Sequence, residues 1–113
     1  MASKSKTDGY SIRLLSEVER YDLPELPAPL REDLKTIYGP ALQRSPYKLP
    51  RKIHSHKLSG TLRGCRAINI ELGASYRLVY RIQDKPAPRT VWIYSFAEHD
   101  LAYERAQLRR KRR

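Results

Sequence analysis

The stretch AINIELGASYRLVYRIQDKPAPRTVWIYSF, residues 67–96, decides the fold. Ile68, Ile70 and Leu72 alternate with Ala67, Asn69 and Glu71, the period-2 pattern of a half-buried strand. Gly73-Ala74-Ser75 is a hairpin-length connection. Beyond it Tyr76, Leu78, Tyr80 and Ile82 alternate with Arg77, Val79, Arg81 and Gln83. Asp84 to Arg89, with prolines at 86 and 88, reads as a turn, and Val91 to Phe96 as the third strand of an antiparallel meander.

Upstream, Tyr10-Ser-Ile12-Arg-Leu14 alternates in the same way and predicts one more strand. Leu30, Leu34, Ile37 and Tyr38 fall at helical spacing after Pro29, with Gly39-Pro40 as the expected stop. Pro40, Pro46 and Pro50 limit any second helix to a turn or two. Downstream, Glu98 to Leu108 reads as a terminal helix with Leu101 and Leu108 on one side. Strand, short helical segment, meander and terminal helix make an α+β architecture with a twisted antiparallel sheet. The 113 residues are expected to form one domain, 1–113, with 1–9 as a flexible N-terminus and 109–113 as a frayed basic tail.

Charge is segregated along the chain. Lys and Arg number 23 against 12 Asp and Glu, a formal net charge of +11. Seven of the acids lie in residues 8–33, and none occurs from Leu34 through Ile70. A cationic face of this kind points to a polyanion, because phosphate contacts release condensed counterions, or to an acidic protein that neutralises it. The single Cys65 cannot form an internal disulfide, which predicts a reducing, cytoplasmic setting. No apolar run approaches the ~20 residues of a membrane-spanning helix, and the opening MASKSKTDGYS has no apolar stretch for a secretory signal. His54, His56, Cys65 and His99 match no standard zinc spacing, so neither a metal nor a cofactor is expected. His54 and His56 read instead as part of a basic loop that meets phosphate. Tyr76, Tyr80 and Tyr94 fall at strand-core spacing.

The run HKLSGTLRGCRAINIELGASYRLVYRI (56–82), followed by WIYSFAEHDLAY (92–103), resembles the RelE/ParE superfamily of bacterial toxins. The likeness rests on K-L-x-G, on Y-R-L-V-Y and on His99-x-x-x-Tyr103, and covers residues 56–106. It implies a type II toxin paired with an antitoxin: an endoribonuclease that cuts mRNA, often on the ribosome, without a metal, and so inhibits translation. Arg77 matches the arginine of the Y-R-L-V-Y strand that faces the scissile phosphate, a role suited to a permanently charged fork. Arg81, two residues on, shares its face. His99 and Tyr103, at i and i+4, are the candidates for proton transfer. Where strongly active relatives carry lysines, this chain has Ala67 and Asn69, leaving Arg66 and Asn69 as replacements and Glu71 as a further candidate base. Lys52, Lys57 and Arg63 are expected to hold RNA backbone. Gyrase-inhibiting ParE relatives share the fold, and a non-catalytic basic nucleic-acid-binding module is a further alternative.

Overall fold

A computed structural model describes residues 9–112. Of the segment expected to be flexible, residues 1–8 lie outside the described residues, as does Arg113 at the chain's end. The chain opens with β1 (Ser11–Leu14), followed by a wide π-helical turn (Val18–Asp22) and one short turn (Leu23–Glu25). Then come α1 (Ala28–Asp33), a second π-helical turn (Leu34–Tyr38) and α2 (Gly39–Arg44). The remainder is β2 (His54–Lys57), a 3-10 turn (Gly60–Leu62), β3 (Cys65–Leu72), β4 (Ala74–Gln83), β5 (Thr90–Glu98) and α3 (His99–Lys111). Among the described residues, no helix is long and apolar enough to cross a membrane.

The five strands form one sheet in the order β1-β5-β4-β3-β2, with β1 parallel to β5 and the other pairs antiparallel. The α+β expectation and the meander hold. Gly73 alone connects β3 to β4, because its φ of +75° suits a backbone without a Cβ. Ala74 and Ser75, expected in the turn, are strand residues. Residues facing one another across the sheet share a face. One face therefore carries Ile12, Leu14, Ile68, Leu78, Tyr80, Ile93 and Phe96, and packs on the N-terminal helical segment. The other carries Cys65, Ala67, Val79 and Ser95 and lies under α3. There Ser95 Oγ donates to the Ala102 carbonyl at 2.7 Å, and Val79 and Ala67 are fully buried.

Three expectations are corrected. Gly39-Pro40 does not stop the helix. The wide turn before it bonds the Gly39 N–H to the Leu34 carbonyl, and the helical path continues into α2 with Pro40 near its start. A Cβ at Gly39 would stand 2.7 Å from that carbonyl oxygen, so this close turn requires glycine. Leu101 and Leu108 do not form the buried side of α3. That side is Ala102, Ala106 and Arg109, whereas Leu108 is exposed. Small alanines let the helix approach the sheet closely. Nor is the basic tail frayed from residue 109: the helix runs to Lys111, and Arg109 is only 5% exposed. Its charge is met by Asp22, which is fully buried in the first wide turn.

Candidate active site

Arg77 stands near the middle of β4, directly opposite Asn69 on β3 and Ala97 on β5. Asn69 in turn lies opposite His54 on β2, so His54, Asn69, Arg77 and Ala97 form one row across the α3 face. The next row is His56, Ala67, Val79 and Ser95. The Arg77 guanidinium is half-buried and tethered: Nη1 donates to Ser75 Oγ and to the Tyr76 carbonyl, both at 2.9 Å. Its Nε and the Oδ1 of Asn69 are buried without a hydrogen-bond partner among the described residues. Arg66 Nε, on the opposite face, is buried without a partner in the same way, and such orphaned groups cost stability unless something else satisfies them.

β5 ends at Glu98 and α3 starts at His99, two residues beyond the partner of Arg77. The His99 ring meets Tyr103 edge to face, with centroids 5.0 Å apart, so the i, i+4 pair projects together as expected. His99 is exposed, and its Nδ1 lies 2.8 Å from Asp100 Oδ1. A cleft of about 440 Å³ joins His99 to Ser75, the residue that tethers Arg77. Glu98, Asp100 and Glu104 also line it, so its field is acidic. A larger groove of about 670 Å³ lies on the other side of the sheet, among Ile12, Leu14, Leu23 and Pro40, away from these residues.

The remaining predicted residues divide. Arg81 shares the face of Arg77, but lies beyond buried Val79, opposite Cys65 and Trp92. Arg110 of α3 approaches the same place, with Nη1 3.6 Å from Cys65 Sγ. Burial pushes the Cys65 thiol up, against the lowering effect of Arg110 and Arg81. Arg66 is opposite Tyr80 and Lys57, which puts it on the face away from Arg77 and Asn69. Tyr80 donates to the Pro46 carbonyl there, and the neighbouring Tyr47 hydroxyl feels the Arg66 charge. Lys52 and Arg63 are exposed in connecting segments, and Lys57 is exposed at the end of β2.

Sequence reasoning missed β2. His54 and His56 are not loop residues; they sit on the edge strand and line the face of Arg77. The imidazole of His56 is held below the usual histidine range, by partial burial first and then by the Arg77 and Arg66 charges. His-Ser-His-Lys has no apolar alternation, so only the flanking Ile53 and Leu58 hint at a strand.

No protein-family model matches the chain, and no curated protein matches it. Solved structures do. The toxin-antitoxin complex RelBE2 of Mycobacterium tuberculosis contains a chain 26% identical, covering 83% of this chain and 95% of its own, with a TM-score of 0.60. A double mutant of the E. coli toxin RelE in the free state is 23% identical, covering 89% and 97%, with a TM-score of 0.64. A YoeB/ParE toxin from Agrobacterium tumefaciens is 18% identical, covering 79% and 98%, with a TM-score of 0.57.

Proposed function

We propose that this chain, which has the fold of the RelE/ParE-type toxins, is the toxin of a toxin-antitoxin pair and acts as an endoribonuclease on mRNA. The observation that carries this reading is the tethered Arg77 with its unpartnered Nε, set opposite the unpartnered amide oxygen of Asn69. A fixed, permanently charged donor at the centre of a cationic sheet is what an in-line attack on a phosphodiester needs. The phosphorane carries more negative charge than the bound substrate, and a preorganised guanidinium stabilises that increment. Tyr103 and His99 stand at the start of α3, on the side of Arg77 next to β5, and supply proton transfer without a metal.

Lys52, Lys57, Arg63 and Arg66 hold RNA or ribosomal backbone, and Arg81 extends the cationic face. The cytoplasm is the setting that reaction requires. An antitoxin carrying acidic and apolar residues is the expected partner, in line with the complex in which the mycobacterial chain was solved.

Induced expression tests the reading: translation should halt and mRNA should carry new internal ends, while plasmid supercoiling stays normal. Broken DNA with intact message would favour gyrase as the target. Tight RNA binding with neither lesion would leave a binding module.

A further inference from the structure

We infer that His56, on the edge strand β2, is the group that takes the 2′-hydroxyl proton in the cleavage proposed above, working across the sheet from the His99–Tyr103 pair. The assignment rests on that nuclease reading and supplies a residue that the motif likeness did not. Register puts His56 opposite Ala67, one strand and two residues from Asn69 on the same face. The small, fully buried Ala67 is the neighbour that His56 and Asn69 share on that face. The scissile phosphate on Arg77 then has β2 on one side and the start of α3 on the other. That is the two-sided arrangement an in-line displacement demands, with attacking and leaving oxygens opposed.

Charge favours the same orientation. Arg77 of β4 shares the face of His56, with His54 beside it on β2, while Arg66 of β3 and Lys57 lie on the opposite face. No carboxylate occurs from Leu34 through Ile70, and Glu71 accepts from Ser75 Oγ. RNA entering over β2 meets no acid on that strand or the segments flanking it. Glu71 lies farther along β3 beside Ser75, and the cleft at His99 is lined by Glu98, Asp100 and Glu104. Partial burial first, and then the Arg77 and Arg66 charges, hold the imidazole below the usual histidine range, which favours the neutral form that accepts a proton.

The step balances without a co-reactant. A ring nitrogen of His56 takes the 2′ proton, and the 2′ oxygen forms a bond to phosphorus. The bond from phosphorus to the 5′ oxygen breaks with its electron pair, and that oxygen takes a proton from His99 or Tyr103. The products are a 2′,3′-cyclic phosphate and a 5′-hydroxyl end.

The test is single-turnover cleavage of ribosome-bound message, read across about pH 5 to 8 for the wild type, His56→Gln and His56→Ala. The wild-type rate should rise with pH through a midpoint below the ordinary histidine value. His56→Gln should cut ~100-fold more slowly, with RNA affinity retained and that rise abolished. Added imidazole should restore part of the rate of His56→Ala, an effect that a structural role would not produce. A wild type that cuts, with His56→Gln matching its rate and pH profile, would overturn the assignment alone. A wild type that cuts no RNA would overturn the nuclease reading and this assignment with it.

Discussion

Arg109 and Asp22, 87 residues apart, form a two-point ion pair beneath α3, with Nη1 2.9 Å from Oδ2 and Nη2 2.8 Å from Oδ1. The same carboxylate accepts from Arg105 Nη1 at 2.8 Å and from the Phe96 backbone N–H at 2.8 Å, while Arg109 also donates to the Tyr94 carbonyl. β5 makes an irregular step against β4 between its pairings at Ile93 and Ser95, skipping Tyr94. One carboxylate thus ties the wide turn, the irregular edge of β5 and two successive turns of α3.

Removing one partner should be severe. Asp22→Ala leaves the buried Arg109 unpaired and should lower stability by about 3–5 kcal/mol in denaturant unfolding. Asp22→Ala combined with Arg109→Met should recover much of that loss, since the charge left without a partner is gone. Equal loss in the single and double variants would show that the pair is not what holds α3.

A second prediction concerns Asp84, which accepts from Tyr10 Oη at 2.5 Å and also from Tyr47 Oη. These bonds hold the Asp84 carboxyl below its usual range and push Tyr47 up to about 12, chiefly through that same bond. The carboxylate favours the fold above the ordinary aspartate value, and this contribution is lost as pH falls through the lowered one. For Tyr47 the favourable form is the neutral phenol, present below its ordinary value and lost as pH rises through about 12. In Asp84→Asn, tyrosinate absorbance should therefore appear at lower pH than in the wild type. Unchanged titration would mean that the two hydroxyls do not share this carboxylate in solution.

Arg77 should act in the transition state more than in binding. Arg77→Ala should slow single-turnover cleavage by ~100-fold or more, with a much smaller change in RNA affinity. Arg77→Lys should restore little, because a point charge does not reproduce the fork. His99→Gln and Tyr103→Phe should each cost ~10- to 1,000-fold in the chemical step. A normally folded Arg77→Ala protein that cuts at the wild-type rate would remove the centre of this mechanism.

The proximity of Arg77 to His56 can be checked without any substrate. In Arg77→Gln the His56 ring should titrate at higher pH, since a charge that opposes protonation has been removed. Proton NMR of the imidazole reads the shift directly, and a midpoint that stays put would separate the two residues.

Replacing Lys52, Lys57 and Arg63 together with Ala should weaken RNA binding evenly across sequences and flatten its salt dependence. Each side chain is exposed, so folding should be little affected. A wild-type salt slope in the triple variant would move the binding surface elsewhere.

The three central strands were legible because their alternation runs through bulky residues, from Ile68 to Phe96. The exact partner of Arg77 was not. A connection spanning Gly73 to Ser75 would have set Arg77 opposite Glu71, whereas the single-residue connection at Gly73 sets it opposite Asn69. Arg66 looked like a companion of Arg77 until register fixed the two on opposite faces. Edge strand β2 was hidden because its histidines and lysine need only one neighbour and bury little. The buried side of α3 was hidden because alanine gives a weak hydrophobic signal, and a buried arginine is readable only once its distant carboxylate is known.

The wide turn Val18–Asp22 also constrains how the chain can change in length. The Leu23 N–H bonds to the Val18 carbonyl across five residues, so this turn holds one residue more than an ordinary helical turn. Deleting one residue would let the backbone close as a regular helix while rotating everything after it by about 100°. Val18 and Asp22 could not then both remain buried, and the carboxylate that meets Arg109 would swing away from β5. Substitutions on the exposed positions of this turn, Glu19 to Tyr21, leave that angular setting intact. The segment therefore tolerates changes of side chain far better than changes of length, because its residue count acts as a phase lock between the two ends of the chain.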